Sequence, residues 1–317
     1  MPLFEASPSG GGAHVLSSYA TGFWGPHDAL HTFCEESYAV TSLSAEPFNA
    51  FGSFCYTAVG VVNLWRLSKL GLPLSWRVTC GWWSLVIVGL GSSLFHTTMR
   101  YHMELLDEIP MLVLLCCGCL QCSDIHPLGK RYRWKGITLL DLMLVGGMSV
   151  LTVVYLITRI FGLFVTGFTV GTIFLLGLYM TAEWNPDYGY LGGRAAVRIL
   201  LARVAWELEN HLCASYPMVW YLHNVWHIGS CLAASDLFLF GYLHRLEKLG
   251  MRGIVAVRGG GAEGNEGPVS SASLTPGRVT RTRAVKEGID PTPIQLPLLL
   301  FCPEAAVALV KSAKMDD

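Results

Sequence analysis

The sequence predicts an all-α membrane protein, a bundle of seven transmembrane helices, and three observations carry that expectation. Apolar residues make up 52% of the 317 positions and charged residues only 14%, with a mean hydropathy of +0.44, whereas soluble domains carry roughly 25% charged residues. Apolar windows recur at residues 46–65, 79–96, 103–121, 136–157, 161–182, 197–214 and 218–242, each near the ~20 residues that a helix needs to cross the hydrocarbon core. Basic residues alternate between connections. Arg66, Lys69 and Arg77 fall in the first, Lys130, Arg131, Arg133 and Lys135 in the third, and Arg194 and Arg198 in the fifth. Arg245, Lys248, Arg252 and Arg258 begin the tail, while the opposite connections hold Arg100 and Arg159. Because cytoplasmic loops collect Lys and Arg, this pattern predicts an N-terminus outside the cytosol and a C-terminus within it.

Taken in order, residues 1–43 form a Gly- and Ser-rich non-cytoplasmic segment without Lys or Arg. It lacks the basic region and apolar core of a cleavable signal, so the first span is expected to serve for targeting. Residues 44–245 hold the helices. The fifth window is the clearest; the sixth is the weakest because it carries Arg203, Glu207 and Glu209, and a buried interfacial helix is the alternative there. Residues 246–317 read as a cytoplasmic tail. Within it, 259–290 is Gly- and Ser-rich and is expected to lack order, since it cannot bury enough apolar area to offset the entropy of ordering. Residues 296–309 are apolar but short and interrupted by Pro303 and Glu304, which fits a surface-lying or poorly ordered segment. A formal net charge of −1 gives no reason to expect nucleic-acid binding.

The chemistry concentrates at helix ends on one side. Ser92 and His96 close the second window, Asp107 opens the third, and His223 and His227 open the seventh. By the predicted topology all lie at the non-cytoplasmic leaflet. Ionisable groups at that depth are costly without partners and read as a functional site. His223 and His227 stand at i and i+4 on one helix face. With His96 they offer three imidazoles and no thiolate, a donor set that suits catalytic zinc with an open position. Ser92, one turn before His96, is placed to hydrogen-bond a developing oxyanion, and Asp107 to accept a proton from an attacking water.

These residues also sit within a longer pattern. Gly22-Phe23-Trp24-Gly25-Pro26, Cys34-Glu35-Glu36-Ser37-Tyr38, Ala45-Glu46, Gly91-Ser92 with Phe95-His96, Leu105-Leu106-Asp107-Glu108-Ile109-Pro110-Met111, the stretch 206–213, and His223 with Trp226-His227 resemble, in order and spacing, the successive motifs of the alkaline ceramidases. The resemblance implies a seven-helix intramembrane amidase of the endoplasmic reticulum, or of the Golgi, that hydrolyses ceramide to a sphingoid base and a fatty acid. It implies zinc on His96, His223 and His227, Asp107 acting on the catalytic water, and Ser92 assisting. It also implies calcium held by Thr32, the Phe33 carbonyl, Glu35, Ser37 and Glu46. Thr32 and Ser37 stand where the family usually has Asp and Asn, so the calcium site is expected to be weak or empty, since fewer charged ligands lower affinity.

Cys34 and Cys213 fall on the same, disulfide-permitting side, and the resemblance points to the same pair. Cys116, Cys117, Cys119 and Cys122 are read as packing residues. Arg203 and Glu207 are read as an i,i+4 pair, Asp141 and Asp236 as sharing a hydrated pocket, and Trp82, Trp83, Trp220 and Tyr221 as parts of an interfacial aromatic belt. Ceramide from the bilayer is the expected partner; no protein partner is implied. A seven-helix receptor with a structural zinc, similar to the adiponectin receptors, and an ester-cleaving remodeller of GPI lipids are the competing readings.

Overall fold

Bilayer-length apolar runs separated by short polar turns fold into helical hairpins. In the computed structural model, which describes residues 22–69, 75–123, 126, 133, 134, 136–182, 186–248, 294–297 and 306–309, seven long helices follow one another. They are α1 (Pro47–Lys69), α2 (Trp76–Thr98), α3 (Tyr101–Ser123), α4 (Leu139–Thr158), α5 (Phe161–Thr181), α6 (Pro186–Leu212) and α7 (Leu222–Lys248). Among the described residues four of them, α2 to α5, are long and apolar enough to cross a membrane.

Local chemistry sets the boundaries. Pro47 and Pro186 open α1 and α6, where a missing N–H costs nothing. Ser75 caps α2 by accepting from the Val78 amide. Thr138 and Asp141 form a reciprocal capping box at the start of α4, which satisfies two orphan donors. Met99 ends α2 in the left-handed region (φ 51°) and returns its amide to the Phe95 carbonyl, so α3 begins after a two-residue turn. A five-residue 3₁₀ turn, Pro217–Tyr221, precedes α7, so Trp220 and Tyr221 lie before the last helix rather than within it.

The helices pack in a ring: α2 lies between α1 and α3, α3 meets α4 and α5, and α6 runs along α7, which returns to α1. Contact between α5 and α6 is sparse. α4 buries only Asp141 and Tyr155 and presents Met143 (67% exposed) and Ile157 (77%) outward, an apolar surface suited to lipid. Trp82 does not join an interfacial belt. It is fully buried beside Phe238, while its neighbour Trp83 is exposed; the α2 face carrying Trp82 points into the bundle. Cys117, Cys119 and Cys122 pack in the same apolar core.

Asp141 and Asp236 do not share a pocket. Asp141 receives both terminal nitrogens of Arg77, at 2.9 and 2.6 Å, together with Ser123 and the Thr138 amide. Asp236 is held by Arg194 and Arg198 of α6. Each buried carboxylate has recruited its own guanidinium, which removes the need for shared water. Arg203 and Glu207 do pair, with Nε to Oε1 at 3.0 Å. The stretch 259–290 lies outside the described residues. In the tail beyond it, residues 294–297 and 306–309 pair as antiparallel strands, with Ile294 opposite Leu309.

Candidate metal centre and lipid cavity

Three imidazoles converge where α2 ends and α7 begins. His96, His223 and His227 are buried, and one ligand atom from each lies within 4.8 Å of the others. Each ring is fixed through its remaining nitrogen. His96 Nδ1 meets Glu46 Oε2 at 2.7 Å, His223 Nδ1 meets Glu209 Oε2 at 2.9 Å, and His227 Nε2 is 3.4 Å from Ser53 Oγ. That leaves His96 Nε2, His223 Nε2 and His227 Nδ1 buried without a hydrogen-bond partner. A buried unpaired nitrogen is costly, and three facing one point form the donor set of a tetrahedral zinc site with one position open. A carboxylate that takes the other ring N–H fixes the tautomer and raises the basicity of the ligand. The residues therefore fit Zn²⁺.

Sequence reading singled out the imidazoles but not what holds them. Glu209, in sequence a charge that weakens a span, orients His223 and also accepts the Cys34 amide at 3.1 Å. Glu46, read only as a calcium ligand, also binds Asn49 Nδ2 at 3.1 Å besides His96. A carboxylate at the same depth as a candidate imidazole was the available signal.

Ser92 and Asp107 meet beside the cluster. At Gly91 an added Cβ would lie 1.9 Å from the Leu106 carbonyl oxygen, so only glycine lets α2 and α3 approach this closely. The Ser92 hydroxyl consequently reaches the Asp107 carboxylate and Ser53 Oγ at 3.1 Å. Glu108, next on α3, is buried and receives the Tyr155 hydroxyl.

The N-terminal loop forms a lid over this centre. Glu104 grips it through the amides of Leu30 (2.6 Å) and His31 (3.0 Å), and the structure joins Cys34 to Cys213 with Cα atoms 5.5 Å apart. Glu35 accepts the first amides of α1, from Phe48 (2.9 Å) and Asn49 (2.8 Å). Burial pushes its carboxyl upward, the two amides oppose that, and the charge of Glu46 adds to it. Phe33 lays its ring 4.0 Å from His223 and 4.9 Å from His96. Thr32 is exposed and Ser37 half-buried. The Tyr38 amide binds the Ala45 carbonyl at 2.8 Å, which brings the 33–37 and 45–46 segments together.

Beneath the lid is a cavity lined by His31, His223, His227, Asp107, Glu108 and aromatic rings. It shares Tyr56, Val88, Met111, Phe168 and Trp226 with a second, almost wholly apolar cavity. A chamber carrying a few polar groups and sharing a wall with an apolar one suits a lipid with its head at His223 and His227 and a chain in the core.

Several known proteins are similar to the chain over most of its length. The chain is 27% identical over 237 residues to alkaline ceramidase 3 of Mus musculus, covering 71% of this chain and 86% of that protein. It is 25% identical to the alkaline ceramidase of Drosophila melanogaster, over 76% of this chain and 87% of the other. It is 24% identical to alkaline ceramidase YPC1 of Saccharomyces cerevisiae, over 73% and 80%. The Ceramidase family profile matches residues 25–253, spanning the lid, all seven helices and the three histidines, and the chain belongs to the Ceramidase family.

Proposed function

We propose that this protein is a multi-pass membrane amidase that hydrolyses ceramide to a sphingoid base and a fatty acid, with zinc as its catalytic metal. The observation that carries the reading is the set of three buried, unpartnered imidazole nitrogens gathered beside a cavity that His223 and His227 line. Family membership and the curated relatives support the substrate class. When bound, Zn²⁺ supplies Lewis acidity and lowers the pKa of water. His96, His223 and His227 would hold it.

The remaining roles belong to the chain. Asp107 accepts a proton from the water that attacks the amide carbonyl and passes it to the leaving amine as the C–N bond breaks. Ser92 donates to the oxygen on which negative charge develops. The apolar chamber takes a chain of the substrate, and the sparse α5–α6 seam is the side from which a bilayer lipid enters. All seven helices span the membrane in this reading. The Cys34–Cys213 bond favours a lumenal lid, and basic residues favour a cytoplasmic C-terminus, in the endoplasmic reticulum or Golgi. A weak calcium site in the lid uses Glu35, Glu46 and the Phe33 carbonyl, helped by neutral Thr32 and Ser37; its support is the Tyr38–Ala45 backbone bond that draws these segments together.

Purified protein incubated separately with ceramide and with a phospholipid, followed by quantification of both products and of bound metal, tests the reading. Sphingoid base from ceramide, with one zinc per chain, is expected. No product from either lipid would favour a receptor, and fatty acid from the phospholipid alone would favour a remodeller. Activity titrated against a calcium chelator tests the second site.

A further inference from the structure

His31 is not among the residues that the proposed chemistry uses, yet it is built into the site with care. Its backbone is held by Glu104. Its ring stacks flat on Phe161, with centroids 4.3 Å apart and planes 9° from parallel, packs edge-on to Phe33 at 4.8 Å and lies 6.1 Å from the Trp206 ring of α6. The ring thus lies between the lid, α5 and α6, two helices whose mutual contact is sparse. It lines the same cavity as His223, His227 and Asp107, with a single ring, that of Phe33, between it and the metal ligands. Its Nε2 is sealed from solvent without a hydrogen-bond partner. A locked ring with an unsatisfied nitrogen, outside the ligand set, is what a polar group of a bound molecule would complete.

The position identifies the group. With the amide at the histidines and a chain in the apolar chamber, the outermost polar atom of a ceramide is its primary hydroxyl, a few bonds from the amide nitrogen and directed toward the lid. We infer that His31 binds this hydroxyl through Nε2 and so selects lipids whose head is a free alcohol. The rings of Phe33, Phe161 and Trp206 surround it. This rests on the ceramidase reading above and adds a residue that determines substrate choice.

The test compares wild type, His31→Phe and His31→Gln in the full chain. Phe keeps the stack and loses the nitrogen; Gln keeps a hydrogen-bonding group at about the same reach. The two lipids are a ceramide and its analogue with hydrogen in place of the primary hydroxyl. Hydrolysis and equilibrium binding are both measured. Wild type is expected to favour the ceramide by about tenfold, the effect of one buried hydrogen bond. His31→Phe should lose that preference through KM rather than kcat while handling the analogue as wild type does, and His31→Gln should regain part of it. Equal losses on both lipids, or an unchanged preference in His31→Phe, would overturn the inference. The binding arm keeps the two readings separate. A wild type that binds ceramide over the analogue but hydrolyses neither sinks the enzyme reading and leaves His31 as the head-group contact.

Discussion

Two ends of the same bundle bury charge in opposite ways. Nineteen residues separate Arg77 from His96 on α2, about 28 Å of helix. At the Arg77 end the charges are spent on one another: Arg77 on Asp141, and Arg194 and Arg198 on Asp236. At the His96 end, Glu46 and Glu209 each take one imidazole nitrogen and leave the other without a partner. A satisfied buried pair holds helices together and does no more. A half-satisfied one, oriented by carboxylates, is prepared for a ligand. What distinguishes chemistry from scaffold here is therefore the donor left over, and each end can be broken to show it.

The largest effect is expected at the histidines. His227→Ala should abolish ceramide hydrolysis and strip zinc, because two imidazoles hold a divalent ion far less well than three; metal analysis of the purified variant beside its turnover checks this, and wild-type zinc content would remove His227 from the ligand set. The matching change at the other end is Arg77→Met. It leaves Asp141 buried without its cation, which should cost about 3–5 kcal/mol of stability while zinc per folded chain stays at the wild-type value. Thermal unfolding in detergent, read with metal content, separates the two, and zinc lost in proportion to stability would erase the proposed distinction.

Asp107→Asn comes next. It should retain zinc while turnover falls by about 10²-fold or more, as for a lost proton-transfer group; near-normal rates would remove Asp107 from the mechanism. Glu209→Gln should be milder. The amide still reaches His223 but no longer draws on its N–H as an anion, so zinc affinity is expected to fall about 10- to 100-fold, and added zinc should restore hydrolysis. Competition with a chromogenic chelator measures this. An unchanged affinity would make Glu209 a support for the Cys34 amide alone.

The sequence made much of this legible, for physical reasons. Helix existence followed from apolar runs of bilayer length, and the seven expected windows fall on the seven described helices, with ends shifted by a few residues where Ser75, Thr138 and Met99 cap them, while α6 begins at Pro186, well before its window at 197. His223 and His227 declared themselves through i,i+4 spacing. Their carboxylate partners did not, because Glu46 lies fifty positions from His96 and only tertiary packing brings them together. The lid was legible as acidic sequence but not as a lid: its closure depends on Glu104 and Glu209 reaching backbone amides on another segment. Trp82 was misplaced because aromatic content marks an interface only when the helix face is known.

The smallest effect is at the edge of the lid and tests whether the prepared end carries a cost of its own. Burial pushes the His31 imidazole from 6.5 down to about 4. The unfolded chain therefore binds a proton at this residue between about pH 6.5 and pH 4 that the folded chain refuses, so stability should fall as pH is lowered through that window and level off below it. Because the ring is only partly buried, solvent screening reduces the effect to on the order of 1 kcal/mol. Burial lowers the His27 imidazole of the same lid as well, so the informative quantity is the difference between wild type and His31→Phe. Thermal unfolding of the two proteins at pH 7 and at pH 4.5 should show the variant losing less stability on acidification. Identical pH dependence would mean that the His31 ring gains its proton in place, which requires an acceptor close to Nε2 in the folded protein and a lid more open to water than the packing of Phe33 and Phe161 against His31 allows.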